Sequence, residues 1–235
     1  MPYFCEVFRY LGVDTFALKE LEEYEGESFE KGTVIHPSSF KLPFNTALTG
    51  ERLALNLLQR ATSIATTTSY YVEKAQKYGI QILDTRKTTP GLRTLEKYAT
   101  RIGGAANHRL GQTDAWMVKD NHKQFFGGMA EAVSFFRQQG GFYTPLVVEI
   151  HSLEEIRQAK DLGLRHLLLD NFSPQEIEKA VENKSEYMTY EVSGGVRLTN
   201  IENYFIRGVD AISVGALTNA PEIVDISFKY SLLEK

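Results

Sequence analysis

Hydrophobic and polar positions change period along this chain. In residues 51–78, ERLALNLLQRATSIATTTSYYVEKAQKY, apolar side chains recur near helical spacing at Leu53, Leu57, Leu58, Ala61, Ile64 and Ala65, then at Tyr71, Val72, Ala75 and Tyr78. The pattern predicts one long helix, or two broken at the threonines, ended by Gly79. From residue 80 short apolar runs take over: IQILD, AWMVKD, LVVEI, HLLLD, MTYEVS and AISVG, with helical patterns between them. The last four recur about every twenty residues, the length of a βα unit, and so predict parallel strands. Ser/Thr-x-x-Glu capping boxes at Ser152–Glu155, Ser173–Glu176 and Thr199–Glu202 mark helix starts, and Gly140, Gly163 and Gly208 mark helix ends.

Six such units can close into a barrel or lie as an open doubly wound sheet. The polar residues favour the barrel. Asp84, Lys119, Glu149, Asp170, Glu191 and Gly215 stand at or just past predicted strand ends, and they come from nearly every strand. An open sheet gathers its site at one or two switch-point loops instead. The first fifty residues differ, being acidic early and then rich in Gly, Pro, Ser and Thr. Short apolar stretches there, such as Thr33–Ile35, read as edge strands of a small mixed unit.

Composition narrows the class. With 235 residues, 43% of them hydrophobic, the chain can bury one sizeable core, or one core plus a small appendage. A net charge of −4 gives no global field that would gather nucleic acid or an anionic membrane. The opening residues lack a basic stretch followed by an apolar one, no apolar run approaches a membrane span, and Cys5 is the single cysteine. These features predict a cytoplasmic protein with no disulfide framework.

Charge is distributed unevenly. Residues 84–123 hold eight Lys and Arg against four Asp and Glu, a local surplus of +4 in a chain of −4. Arg93, Lys97 and Arg101, spaced four apart, read as a solvated helix face. Arg86, Lys87, Arg109 and Lys119 lie at strand ends or in a Gly-rich turn, where long cations serve no packing purpose, and read as an anion clamp. Glu149 and Asp170, at the ends of consecutive strands, fit either a Mg²⁺ shared with a phosphorylated substrate or helix caps and lysine partners. The glycines and hydroxyls at 193–195 and 213–220 suit phosphate cradles. His108 and His122 lack zinc-site spacing and read equally well as turn residues. Lys87 as a Schiff-base lysine of an aldolase-type barrel fits its strand-end position but not the crowd of cations beside it.

The motifs ERLALNLLQRATSIAT, LDTRKTTPGLRTLEKYA, GGAANHRLGQTDAWMVKDNH, LLLDN, EVSGG and GVDAISVGALT occur in the order and spacing of the decarboxylating quinolinate phosphoribosyltransferases, which residues 50–228 resemble. The resemblance implies an α/β fold, an incomplete parallel (β/α) barrel joined to an α/β sandwich. On this chain the sandwich portion would be truncated to residues 1–52, with the barrel at 53–220 and a tail at 221–235 returning to the sandwich. It implies transfer of phosphoribosyl from phosphoribosyl pyrophosphate to quinolinate, with Mg²⁺ as cofactor, no nucleic-acid or membrane partner, and a homodimer or higher homo-oligomer. Quinolinate would meet Arg52, from the neighbouring subunit, with Thr85, Arg86, His108, Arg109 and Lys119. Phosphoribosyl pyrophosphate would meet Lys87, Asp120, Asn121, Ser193, Gly194, Gly195, Gly215 and Asn219. Glu149 and Asp170 would hold the metal, and with Lys87 and Lys119 they form the implied catalytic set. Gln112 and Thr113 stand where the family commonly has Leu and Tyr. Asn219 replaces a usual histidine and keeps a hydrogen-bond donor without the charge. The alternatives are a noncatalytic binder of phosphorylated metabolites, or a related transferase acting on another aromatic carboxylate.

Overall fold

The computed structural model describes residues 1–231, so the last part of the expected tail, residues 232–235, lies outside the described residues. Six strands form one all-parallel sheet: β1 (Gln81–Leu83), β2 (Trp116–Val118), β3 (Leu146–Ile150), β4 (His166–Asp170), β5 (Thr189–Ser193) and β6 (Ala211–Ser213). Their order is β1-β6-β5-β4-β3-β2. That is the order of a barrel cut open between β1 and β2, with β6 returning to pair with β1. The free edge of β1 is bridged by Ala106, whose N–H donates to Ile82 O and whose carbonyl accepts from Asp84 N–H. No strand continues from there to β2 among the described residues, so the barrel stays incomplete.

The two faces of the sheet differ in chemistry. Ile82, Val118, Val148, Ile150, Leu167, Leu169, Tyr190, Val192 and Ile212 are buried in one core with residues of the surrounding helices. Those helices are α6 (Met129–Gln139), α7 (Leu153–Asp161), α8 (Pro174–Glu182) and the short α9 (Ala216–Asn219) after β6, with Phe126 of α5 (Asp120–Phe126) packed against the core, while α4 (Arg93–Ile102) lies against the long helix that precedes β1. Right-handed crossovers place successive helices on one side of a parallel sheet, which curls it. Residues alternate faces along a strand, so the concave side receives Glu149, His166, Leu168, Asp170, Thr189, Glu191, Ser193 and Ser213, aligned by register. This inner face is mostly polar, unlike the filled apolar interior of a complete barrel.

The amino-terminal region departs from expectation. Helices α1 (Pro2–Tyr10) and α2 (Thr15–Glu22) precede a long irregular segment, and Thr33–Ile35 forms no strand. A second, smaller apolar cluster forms here from Phe4, Cys5, Phe8, Leu18 and Leu21, with Phe40 and Phe228 packed against it. Burial pushes the Cys5 thiol up to about 11, leaving it protonated and inert.

Helix α3 (Phe44–Gln76) is a single unbroken element that spans the expected boundary at residue 52. Its first half contributes Ala54 and Leu55 to the small cluster, and its second half contributes Tyr71 and Ala75 to the main core. The hydroxyl-rich stretch does not break it, because those side chains dock the carboxyl-terminal tail. Thr67 Oγ1 accepts from Glu222 N–H at 3.1 Å, and Ser63 Oγ accepts from Val224 N–H at 3.0 Å.

Of the three capping boxes, Ser173–Glu176 forms in full. Ser152 Oγ caps α7, but Glu155 turns its carboxylate to His151 N–H. At the third, a single 3-10 turn (Ile201–Tyr204) replaces the helix, and Asn200 rather than Thr199 occupies its cap position.

Candidate active site

The segment TRKTT is tied down by its backbone and hydroxyls. Lys87 N–H donates to Thr85 Oγ1, Thr218 Oγ1 donates to Lys87 O at 2.7 Å, and Thr89 N–H donates to Glu96 Oε2. Glu96 is wholly buried and receives Arg60 of α3 through Nε and Nη2, and the same guanidinium reaches the Thr218 carbonyl. One arginine therefore joins α3, α4, α9 and the segment after β1. The side chains of Arg86 and Lys87 remain exposed, with no ion pair among the described residues.

Asp84, at the end of β1, faces inward to protein rather than to the rim. Its carboxylate accepts from Lys97 Nζ (2.5 Å), Thr100 Oγ1, Asn107 Nδ2 and His108 N–H (2.7 Å). Lys97 is 2% exposed, which corrects the reading of Arg93, Lys97 and Arg101 as a solvated face. Arg93 is turned to Thr88 Oγ1 and to main-chain carbonyls, and only Arg101 is solvated. Period alone could not reveal this, since the partner acid lies 13 positions away on another element.

The Asp84 hub fixes the His108–Arg109 pair. Lys97 Nζ also donates to His108 O, and Arg109 N–H donates to His108 Nδ1 at 2.8 Å. His108 Nε2 lies 3.2 Å from Glu191 Oε1, so both ring nitrogens have partners within the protein. Arg109 is anchored through Nη1 to Ala115 O. Burial, with the nearby Arg86 guanidinium, lowers the proton affinity of Arg109, while Glu149 and Glu191 act in the opposite direction. These four charged groups thus surround one space.

Across it, Lys119 Nζ donates to Glu149 Oε2 at 2.6 Å, and His151 Nε2 approaches Glu149 Oε1 at 3.3 Å. Glu149, His151 and Asp170 each offer a ligand atom, all within 4.8 Å of one another. Asp170 is oriented by Ser193 Oγ (2.5 Å) and Asn171 Nδ2 (2.8 Å). Asn171 holds a left-handed backbone, φ 59°, and a Cβ on Gly194 would stand 2.2 Å from its Oδ1. Gly194 is therefore required for this approach. Lys123, counted among the cations of the funnel, is instead buried and braces the end of β3 through Glu149 O and Glu155 Oε1.

The two glycine loops flank this space. A Cβ on Gly215 would lie 3.4 Å from Lys87 Cδ and 3.5 Å from Asn219 Nδ2, so the ends of β1 and β6 converge there. Gly195 follows Gly194 in a second left-handed conformation, beside Ser193. Asp120, Asn121, Gln112 and Thr113 are exposed. His122 caps α5 by accepting from Lys119 N–H through Nδ1. Arg52 is exposed too, and it lies eight residues beyond the first residue of α3 rather than at the helix start.

Sequence reasoning missed His151 and the role of Glu191. A signal for Glu191 existed, because Thr-Tyr-Glu-Val-Ser alternates polar and apolar, whereas a parallel strand packed on both faces reads as continuously apolar. A cleft of about 480 Å³, lined among others by Trp116, Phe136, Gly140 and Phe142, opens at the amino ends of β2 and β3, away from these groups.

Residues 64–229 match the family model described as quinolinate phosphoribosyl transferase, C-terminal domain. The chain belongs to the quinolinate phosphoribosyltransferase family. A probable carboxylating nicotinate-nucleotide pyrophosphorylase of Synechocystis is 40% identical over 208 residues, 87% of this chain and 70% of the relative. The carboxylating nicotinate-nucleotide pyrophosphorylase of Homo sapiens is 41% identical over 192 residues, 80% of this chain and 65% of its own. The crystal structure of NadC from Streptococcus pyogenes superposes with a TM-score of 0.76 at 38% identity, covering 81% of this chain and 68% of that one. The family match includes both glycine loops, both rim acids and all four clamp cations, and stops short of Arg52.

Proposed function

We propose that the protein transfers phosphoribosyl from phosphoribosyl pyrophosphate to the ring nitrogen of quinolinate and releases pyrophosphate and CO₂, leaving nicotinate mononucleotide. The observation that carries this reading is one rim that holds cations facing carboxylates. Arg86 and Arg109 stand on one side and Glu149 and Asp170 on the other, where Lys119 is paired to Glu149, with Lys87 and two glycine loops beside them.

Quinolinate is a planar ring with two adjacent carboxylates. Guanidinium groups match carboxylates by paired parallel hydrogen bonds, so Arg86 and Arg109 suit both orientation and charge, with Lys119 as a point charge that Glu149 now holds. Thr85 and His108 shape the same wall, His108 through a ring already held at both nitrogens. Displacement at the ribose C1 gives the sugar oxocarbenium character and builds negative charge on the departing pyrophosphate, which Lys87 meets as a cation. Ser193, Gly194, Gly195, Gly215 and Asn219 seat the 5-phosphate through backbone N–H groups and short donors, and Asp120 and Asn121 extend that side.

The donor set of Glu149, Asp170 and the adjacent His151 fits a hard divalent cation such as Mg²⁺, which would neutralise charge on the leaving group. Glycosylation makes the ring nitrogen positive. When the neighbouring C–CO₂⁻ bond then breaks, its electron pair stays on the ring carbon beside that nitrogen and is quenched by a proton. The working unit is a homodimer in which Arg52 of each chain enters the other's pocket.

The test is incubation of purified protein with phosphoribosyl pyrophosphate, Mg²⁺ and either quinolinate or nicotinate, following nicotinate mononucleotide and CO₂. Product from quinolinate alone supports the reading. Turnover of a monoacid only, or tight binding with no product, overturns it.

A further inference from the structure

We propose that Glu191 is a positioning residue for the dicarboxylate pocket, acting through His108 on Arg109. The proposal rests on the phosphoribosyltransferase reading for its substrate. Glu191 lies in the middle of β5 on the concave face, level with Leu168 and Ala211 in register, where a packed barrel would place an apolar side chain. A carboxylate at such a site needs partners. Its Oε1 accepts from Ser213 Oγ and stands 3.2 Å from His108 Nε2.

The second nitrogen of the ring decides what that contact is. His108 Nδ1 accepts Arg109 N–H at 2.8 Å, and an accepting nitrogen carries no proton. The proton of the neutral ring is therefore on Nε2, and it is donated to Glu191. Glu191 thus fixes the tautomer and the tilt of the imidazole. The imidazole in turn fixes the peptide N–H from which the Arg109 side chain springs.

The rest of the dipeptide is held independently, by Asp84 at His108 N–H, by Lys97 at His108 O and by Ala115 O at the guanidinium. Among the described residues, the ring makes the one ion-pair or hydrogen-bond contact between this dipeptide and β5. Without the Glu191 carboxylate, Nε2–H loses its acceptor, the imidazole is free to turn, and the Arg109 N–H loses its partner. Misplacement of a clamp by a fraction of an ångström weakens the bidentate grip on a substrate carboxylate.

Two variants and one spectrum test this. Glu191→Ala raises the quinolinate KM about tenfold, with a smaller change in kcat and none in the KM for phosphoribosyl pyrophosphate. Glu191→Gln, whose amide oxygen still accepts from Nε2–H, recovers most of that loss. The double variant His108→Ala/Glu191→Ala binds quinolinate no worse than His108→Ala alone, because both changes cut one chain of contacts. Ring ¹⁵N shifts of His108, identified by their loss in His108→Ala, report a fixed Nε2–H tautomer that Glu191→Ala abolishes.

Additive losses in the double variant, no recovery by glutamine, or unchanged ring shifts in Glu191→Ala overturn the proposal. The ring shifts do not depend on turnover. A wild-type protein that makes no nicotinate mononucleotide therefore overturns the function and leaves the role of Glu191 to be decided by the spectrum.

Discussion

Lys97 Nζ lies 2.5 Å from Asp84 Oδ1, and both side chains are out of solvent. The pair joins the first turns of α4 to the end of β1 and, through His108 N–H and O, holds the turn that carries Arg109. Removing one partner leaves the other charge buried without compensation. Lys97→Met is expected to cost about 3–5 kcal/mol of unfolding free energy, measured by urea denaturation. Arg101→Met on the same helix is exposed and should change it by less than about 0.5 kcal/mol.

Asp170→Asn keeps the acceptor for Ser193 Oγ and removes a charge from the cluster with Glu149 and His151. The expected result is at least about a tenfold weaker use of phosphoribosyl pyrophosphate and a higher Mg²⁺ requirement. Quinolinate binding, read by calorimetry, should stay nearly intact. Unchanged kinetics would return both acids to a role as caps and lysine partners.

Arg52 is exposed on the third turn of α3, without an ion pair among the described residues. If it serves a neighbouring subunit, Arg52→Ala and Lys119→Ala are each inactive. Mixing them restores activity in the heterodimer, where one of the two sites has both wild-type residues. Native mass spectrometry verifies subunit exchange. Exchange without recovered activity rules out the shared site.

Glu20 of α2 accepts from the N–H and hydroxyl of Ser39 and of Ser38, at 2.8 to 3.2 Å. The Ser39 N–H is the largest influence, and together these donors lower the carboxyl from 4.5 to about 2. The folded value lies below the unfolded one, so the contribution to stability is complete above pH 4.5 and is lost as pH falls through about 2. Glu20→Gln should therefore lower the urea midpoint near neutral pH, with the difference from wild type shrinking toward about pH 2.5.

Local chemistry was enough for the six strands and their parallel pairing, because apolar runs of strand length separated by helical repeats and capping residues leave few other arrangements. TRKTTPGLR, the rim acids and both glycine loops were readable for the same reason, since their residue types and order are themselves the signal. Three matters needed the tertiary structure. Where the barrel opens, between β1 and β2, is set by pairing: Ala106 bridges the edge of β1 and no strand among the described residues carries on from it to β2, contacts that no pattern along the chain displays. Thr33–Ile35 pairs with no strand among the described residues and stays irregular, since a strand is defined by its partner. Lys97 and Lys123, indistinguishable in sequence from solvated lysines, are buried because Asp84, Glu155 and main-chain carbonyls arrive from distant elements to receive them. Spacing along a chain reports the period of one element. It does not report which charge another element brings to meet it, and that meeting decides whether a cation binds substrate or holds the fold.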